Sequence, residues 1–160
     1  GYGGLTEEEI LAAREELERL RDRLVTLTDR DAQAFEPLSR AYGLPKNTEE
    51  EKAAREKIME SALYEARVVP MEIMETVLSS MDLLETLGEK GSRLALSDVG
   101  VGILFAQAAL EGASLNVFIN TRLMKDRSQA EELNARADRM IAEGREKKER
   151  IYSQVLQSVK

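Results

Sequence analysis

Along the first forty residues apolar side chains return at alternating spacings of three and four: Ile10, Ala13, Leu17, Leu20, Leu24 and Leu27. That is the period of a helix packing one stripe against other helices, and it runs too long for a strand. The start is marked as well. Thr6 can cap the free backbone N–H groups while Glu9 reaches back to complete a capping box, and Glu7, Glu8 and Glu9 suit the positive end of the helix. Continued, the spacing falls on Asp31, Ala34 and Leu38. A carboxylate therefore stands where the pattern asks for a buried apolar residue.

The rest of the chain has the same character. Only 3 prolines interrupt 160 residues, and long stretches consist of Ala, Leu, Glu, Arg, Lys and Met, which lose little rotamer freedom in a helix. The predicted fold is all-α, an up-and-down bundle of long helices in one domain. A turn is expected through Tyr42, Gly43, Leu44 and Pro45, with Thr48 and Glu51 forming a second capping box. The next helix carries Ile58, Ala62, Ala66 and Val69 and meets Pro70, where a kink or break is expected because proline removes one helical hydrogen bond. Ile73, Met74, Val77, Met81 and Leu84 form a further apolar face up to a turn at Gly88 to Ser92.

From Ser97 to Thr121 the chain is nearly free of charge and rich in small residues, which predicts a central, buried helix. At ~100° per residue, Asp98, Gly102, Phe105, Ala109, Ala113, Asn116 and Asn120 share one narrow face. The last segment, from about Ser128 onward, is highly charged with a modest apolar stripe at Leu133, Ala137, Met140 and Ile141, as expected of an outer helix.

Composition narrows the chemistry. There is no His, Cys or Trp, so zinc sites built on Cys and His, a Ser-His-Asp triad and a thiol nucleophile are excluded, and proton transfer falls to Asp, Glu, Lys or Tyr. The net charge of −7 argues against nucleic acid as a partner. No run of about 18 consecutive apolar residues occurs, so no membrane span is expected, and a cytosolic location follows as the expectation.

Asp31 is the sharpest signal, since a buried carboxylate costs several kcal/mol unless it is paired or serves a function. A structural ion pair, or a roll of the helix that exposes it, is the competing explanation. Asp98, Asn116 and Asn120 are a second signal, for which cross-helix hydrogen bonding competes with ligand binding. Gly100-Val101-Gly102 lacks a third glycine and a preceding strand, so it is not read as a phosphate loop. Met59, Met71, Met74, Met81, Met124 and Met140 read as core filling.

Five strings stand in order along the chain: LTDRDAQAF from Leu27 to Phe35, LPKNTEEEK from Leu44 to Lys52, VVPMEI around Pro70, SDVGVG from Ser97 to Gly102 and NVFIN from Asn116 to Asn120. Together they resemble the cyclodeaminase/cyclohydrolase family of folate enzymes. The resemblance implies an all-helical homodimer, a folate site in a groove at or near the dimer interface, and no cofactor or metal beyond the tetrahydrofolate substrate. It assigns Asp31, in the D-x-x-A-F motif with Ala34 and Phe35, as the catalytic carboxylate, and Lys46, Asp98, Asn116 and Asn120 as substrate-binding residues. Members of the family carry a further N-terminal helical segment with a Pro-Gly-Gly-Gly-Ser type motif, so residues 1–160 are expected to form a single cyclodeaminase-like domain that lacks it.

The activity so implied is formiminotetrahydrofolate cyclodeaminase, which closes 5-formiminotetrahydrofolate to 5,10-methenyltetrahydrofolate and ammonia, as in histidine degradation. The alternative is methenyltetrahydrofolate cyclohydrolase, giving 10-formyltetrahydrofolate. Both need one carboxylate in a partly desolvated site to take and return a proton. A third, non-enzymatic reading is a helical interaction module, but such a spacer has no reason to set Asp31, Asp98 and two asparagines on packed faces.

Overall fold

A computed structural model of the chain describes residues 6–90 and 93–160, except for the side chains of residues 13, 14, 17, 20, 89, 90 and 93–95. Ala13, Leu17 and Leu20 of the first stripe, and residues 91–92 of the expected turn, lie outside what is described. The described residues form four helices: α1 (Glu7–Tyr42), α2 (Glu49–Lys90), α3 (Arg93–Arg122) and α4 (Arg127–Val159). The all-α expectation holds.

Both capping boxes form. The Thr6 hydroxyl accepts from the Glu9 N–H at 3.2 Å and the Glu9 carboxylate accepts from the Thr6 N–H at 2.8 Å. Thr48 and Glu51 exchange the corresponding bonds at 3.1 and 3.3 Å. Asp126 caps α4 by accepting from the Gln129 N–H at 3.0 Å.

Two expectations need correction. Pro70 does not break its helix: α2 runs through it, and Pro70 is fully buried. Its ring leaves the carbonyl of Ala66, four residues back, without a backbone donor, and the side chain of Asn120 supplies one instead at 2.8 Å. Nor is α3 the central helix. α2 is, since it packs against α1 and α3 and, more lightly, against α4. α3 buries Val99, Ile103, Leu110 and Val117 against α2 and α4 but exposes Val101, Leu104, Phe105, Leu115 and Ile119. Its Leu96–Arg122 segment is long and apolar enough, by length and composition, to cross a membrane, which counting consecutive apolar residues does not reveal. Here its buried face belongs to a protein core.

That core combines Met71, Met74, Val77 and Met81 of α2 with Ile103 and Leu110 of α3 and Ala137, Met140, Ile151 and Val155 of α4. Five of the six methionines are buried and Met59 packs at the edge of a second cluster, so core filling is what they do. That second cluster, Leu38 with Ala62, Leu63 and Ala66, ties α1 to α2. Polar contacts join the same pair: Arg23 Nε donates to the Thr76 hydroxyl at 3.3 Å and Arg30 meets Glu72 at 3.4 Å. Among the described residues the backbones of α1 and α3 do not come close to one another. They stand on either side of α2 and leave a cleft between them.

Candidate active site

The cleft holds about 460 Å³, within the roughly 300–1,000 Å³ usual for small-molecule sites. α1 lends it Asp31, Phe35, Leu38 and Tyr42, at steps of four, three and four that keep them on one helical face. Ala66 of α2 forms its floor, and Asn116, Ile119, Asn120 and Leu123 line the α3 side. The walls are apolar and ring-bearing, with Phe35 and Tyr42 exposed toward solvent. Asp31, Asn116 and Asn120 bring polar groups into the cleft.

There, Asn116 Nδ2 donates to Asp31 Oδ2 at 3.3 Å across the cleft. Asp31 is half-buried with no cation paired to it among the described residues, and burial pushes its carboxyl above the ordinary aspartate value. A carboxylate desolvated without a compensating cation binds a proton more readily, which suits it to take up and hand back protons. Asn120 sits one helical turn along from Asn116. One amide N–H of Asn120 is held by Ala66 O, the carbonyl that Pro70 freed, so a proline in α2 fixes a side chain that borders the cleft.

Asp31, Asn116 and Asn120 are therefore brought together, and the seam that flagged Asp31 runs into this cleft. Lys46 and Asp98 are not among its lining residues. Lys46 is exposed in the loop after Tyr42. Asp98 shares the Asn116 side of α3 but lies about 27 Å away along the axis at ~1.5 Å per residue. Ala32, Phe35, Leu38, Tyr42, Ala66, Ile119 and Leu123 complete the lining and were not singled out from the sequence as site residues. The Asp31-Phe35-Leu38-Tyr42 spacing was the available signal for the α1 wall.

A family model described as formiminotransferase-cyclodeaminase matches residues 2–139. The chain belongs to the formiminotransferase-cyclodeaminase family. It is 41% identical over 145 residues to a methenyltetrahydrofolate cyclohydrolase of Methylorubrum extorquens, a match covering 91% of this chain and 70% of the relative. It is 34% identical over 122 residues to the formimidoyltransferase-cyclodeaminase of Mus musculus, covering 76% of this chain and 23% of that longer protein. The crystal structure of formiminotetrahydrofolate cyclodeaminase from Thermotoga maritima superposes with a TM-score of 0.64 at 27% identity, covering 88% of this chain and 64% of that one. The relatives of this folate one-carbon family are named as enzymes. The family resemblance read from five motifs is thereby shown.

Proposed function

We propose that the chain acts on the one-carbon bridge of tetrahydrofolate as a methenyltetrahydrofolate cyclohydrolase, with Asp31 as the proton-transferring carboxylate. The observation that carries the proposal is Asp31 itself, partly desolvated in a cleft whose walls suit a flat ring. The 41% relative favours hydrolysis over the cyclodeaminase reading. Water adds to the methenyl carbon and Asp31 accepts one of its protons. The tetrahedral carbon then collapses to a formyl group on N10 as its bond to N5 breaks. Asp31 returns the proton to N5, and the second water proton leaves to solvent.

The same residues serve cyclodeamination, the reading favoured by the Thermotoga maritima structure. N10 attacks the carbon of the formimino group protonated on its nitrogen, Asp31 takes the N10 proton and gives it to the departing nitrogen, and ammonia leaves. In either direction Asn116 orients the carboxylate and Asn120 offers its remaining amide groups to the ring edge. Lys46, beyond Tyr42, is assigned to the anionic tail of the substrate. A homodimer and a cytosolic location are part of the same proposal, tested by sedimentation and by fractionation.

The deciding experiment follows methenyltetrahydrofolate absorbance from both sides, with the chain and with Asp31→Asn. Loss faster than the uncatalysed rate establishes a cyclohydrolase, and growth from the formimino compound with ammonia release establishes a cyclodeaminase. No change in either direction with folded protein overturns the proposal.

A further inference from the structure

Proline is the least favourable residue for a helix interior, yet α2 carries Pro70 fully buried near its middle. What the proline does beyond packing follows from the asparagines of α3. A carbonyl oxygen only accepts, so the end of the Asn120 amide that Ala66 O holds at 2.8 Å is Nδ2. Oδ1 is the other end, and it takes no hydrogen bond from any described residue. Nor is it sealed in: among the described residues the side-chain atoms buried without a partner are Arg55 Nε and Gln107 Oε1. Asn120 is 8% exposed and lines the cleft, so Oδ1 opens onto the cleft. Asn116 is set in the same way, with Nδ2 bonded to Asp31 Oδ2 at 3.3 Å and Oδ1 free among the described residues. Each asparagine commits one N–H to a neighbouring helix, Asn116 to α1 and Asn120 to α2, and leaves its oxygen unpaired.

We propose that Pro70 is a positioning residue of the site: by leaving Ala66 O free it fixes Asn120 with Oδ1 toward the cleft, where it accepts a hydrogen bond from an N–H of the ligand. With any other residue at position 70, the backbone N–H returns Ala66 O to the helical ladder. The amide of Asn120 is then no longer needed there and is free to present either end. The mid-helix proline is kept, on this reading, for the polarity of one group in the cleft and not for the stability of α2.

The ligand named here rests on the proposed folate function. A reduced pterin carries N–H donors at N3, at N8 and on the 2-amino group, and Asn120 accepts from one of them while Asp31 works at the one-carbon bridge. A fixed acceptor at that place rejects a ring that offers only a lone pair there, because two acceptors facing each other both stay unpaired. The hold of Pro70 on Asn120 does not depend on what the ligand is.

Calorimetry with tetrahydrofolate, urea melts and NMR of the full chain provide the test. Pro70→Ala should unfold at a urea concentration no lower than the parent's, because α2 regains a backbone hydrogen bond. It should nevertheless bind tetrahydrofolate about tenfold more weakly, the loss expected for one oriented hydrogen bond. A proline that served only the packing of α2 would leave affinity unchanged. Asn120→Asp keeps an acceptor and removes the N–H that Ala66 O needs. It should therefore weaken binding with Pro70 in place and should not weaken it further in a Pro70→Ala chain, where the backbone supplies the donor. Without ligand, the side-chain N–H of Asn120, assigned by its disappearance in Asn120→Asp, should exchange with water slowly in the parent and several-fold faster in Pro70→Ala. Equal affinity of parent and Pro70→Ala overturns the proposal. So does an Asn120→Asp change that is equally harmful in both backgrounds, since it assigns the N–H and not the oxygen to the ligand. A folded parent that binds no tetrahydrofolate overturns the folate function, and the exchange rates then decide: slower exchange in the parent upholds the positioning by Pro70, and equal rates overturn it.

Discussion

At the scale of single residues, Asp31 bears a cost that its chemistry explains. Its carboxyl binds a proton more tightly in the folded chain than in the unfolded one, because burial is the cause of its raised value. Folding is thus penalised above that raised value, where the charged form is held in a desolvated place, and the penalty disappears in acid once both states are protonated. Asp31→Asn should then raise Tm at neutral pH, with the gain vanishing as pH falls through the carboxyl's range, while turnover drops by roughly 10²–10⁴-fold. Thermal melts across pH and the absorbance assay read the two effects separately. In the parent chain the rate should fall on the acid side at a pH above that of an ordinary aspartate, since the ionised form is the base. An unchanged melt with full activity in Asp31→Asn would remove Asp31 from both roles.

At the scale of elements, Pro70 and Asn120 form a pair that neither helix reveals alone. Asn120→Leu should cost about 1–3 kcal/mol by leaving the buried Ala66 carbonyl without a donor. In a Pro70→Ala background the backbone N–H of residue 70 can bond that carbonyl, so the same change should cost less, and urea melts of the four chains measure the coupling. Glycines differ in the same way by what faces them. At Gly144 a Cβ would run into Leu110 and would stand 2.5 Å from Gln107 Oε1, so Gly144→Val should destabilise by about 1–3 kcal/mol. Gly112→Ala, with open space around it, should be neutral or stabilising by up to ~1 kcal/mol. The helices and their starts were legible in the sequence because caps and periodicity act within one turn. Continuity through Pro70 was not, because the donor that serves the freed Ala66 carbonyl lies 54 residues on from Ala66. Asp31 could be read as a breach in a stripe, whereas Phe35, Tyr42 and Leu123 became walls only once α1 and α3 stood apart on α2. The exposed side of α3 escaped for a related reason: an apolar face has the same pattern whether its own chain covers it or another does.

At the scale of the whole molecule, the cleft and the exposed side of α3 are coupled because Ile119 and Leu123 belong to both. If the second copy of the proposed homodimer covers that side, a folate in the cleft touches both copies, and binding and association must then favour one another by the same factor. Tetrahydrofolate should accordingly tighten dimerisation in sedimentation runs, and its own affinity, measured by calorimetry, should rise as the chain is concentrated past its association midpoint. Equal folate affinity at all chain concentrations would mean that α1, α2 and α3 of one copy build the whole site.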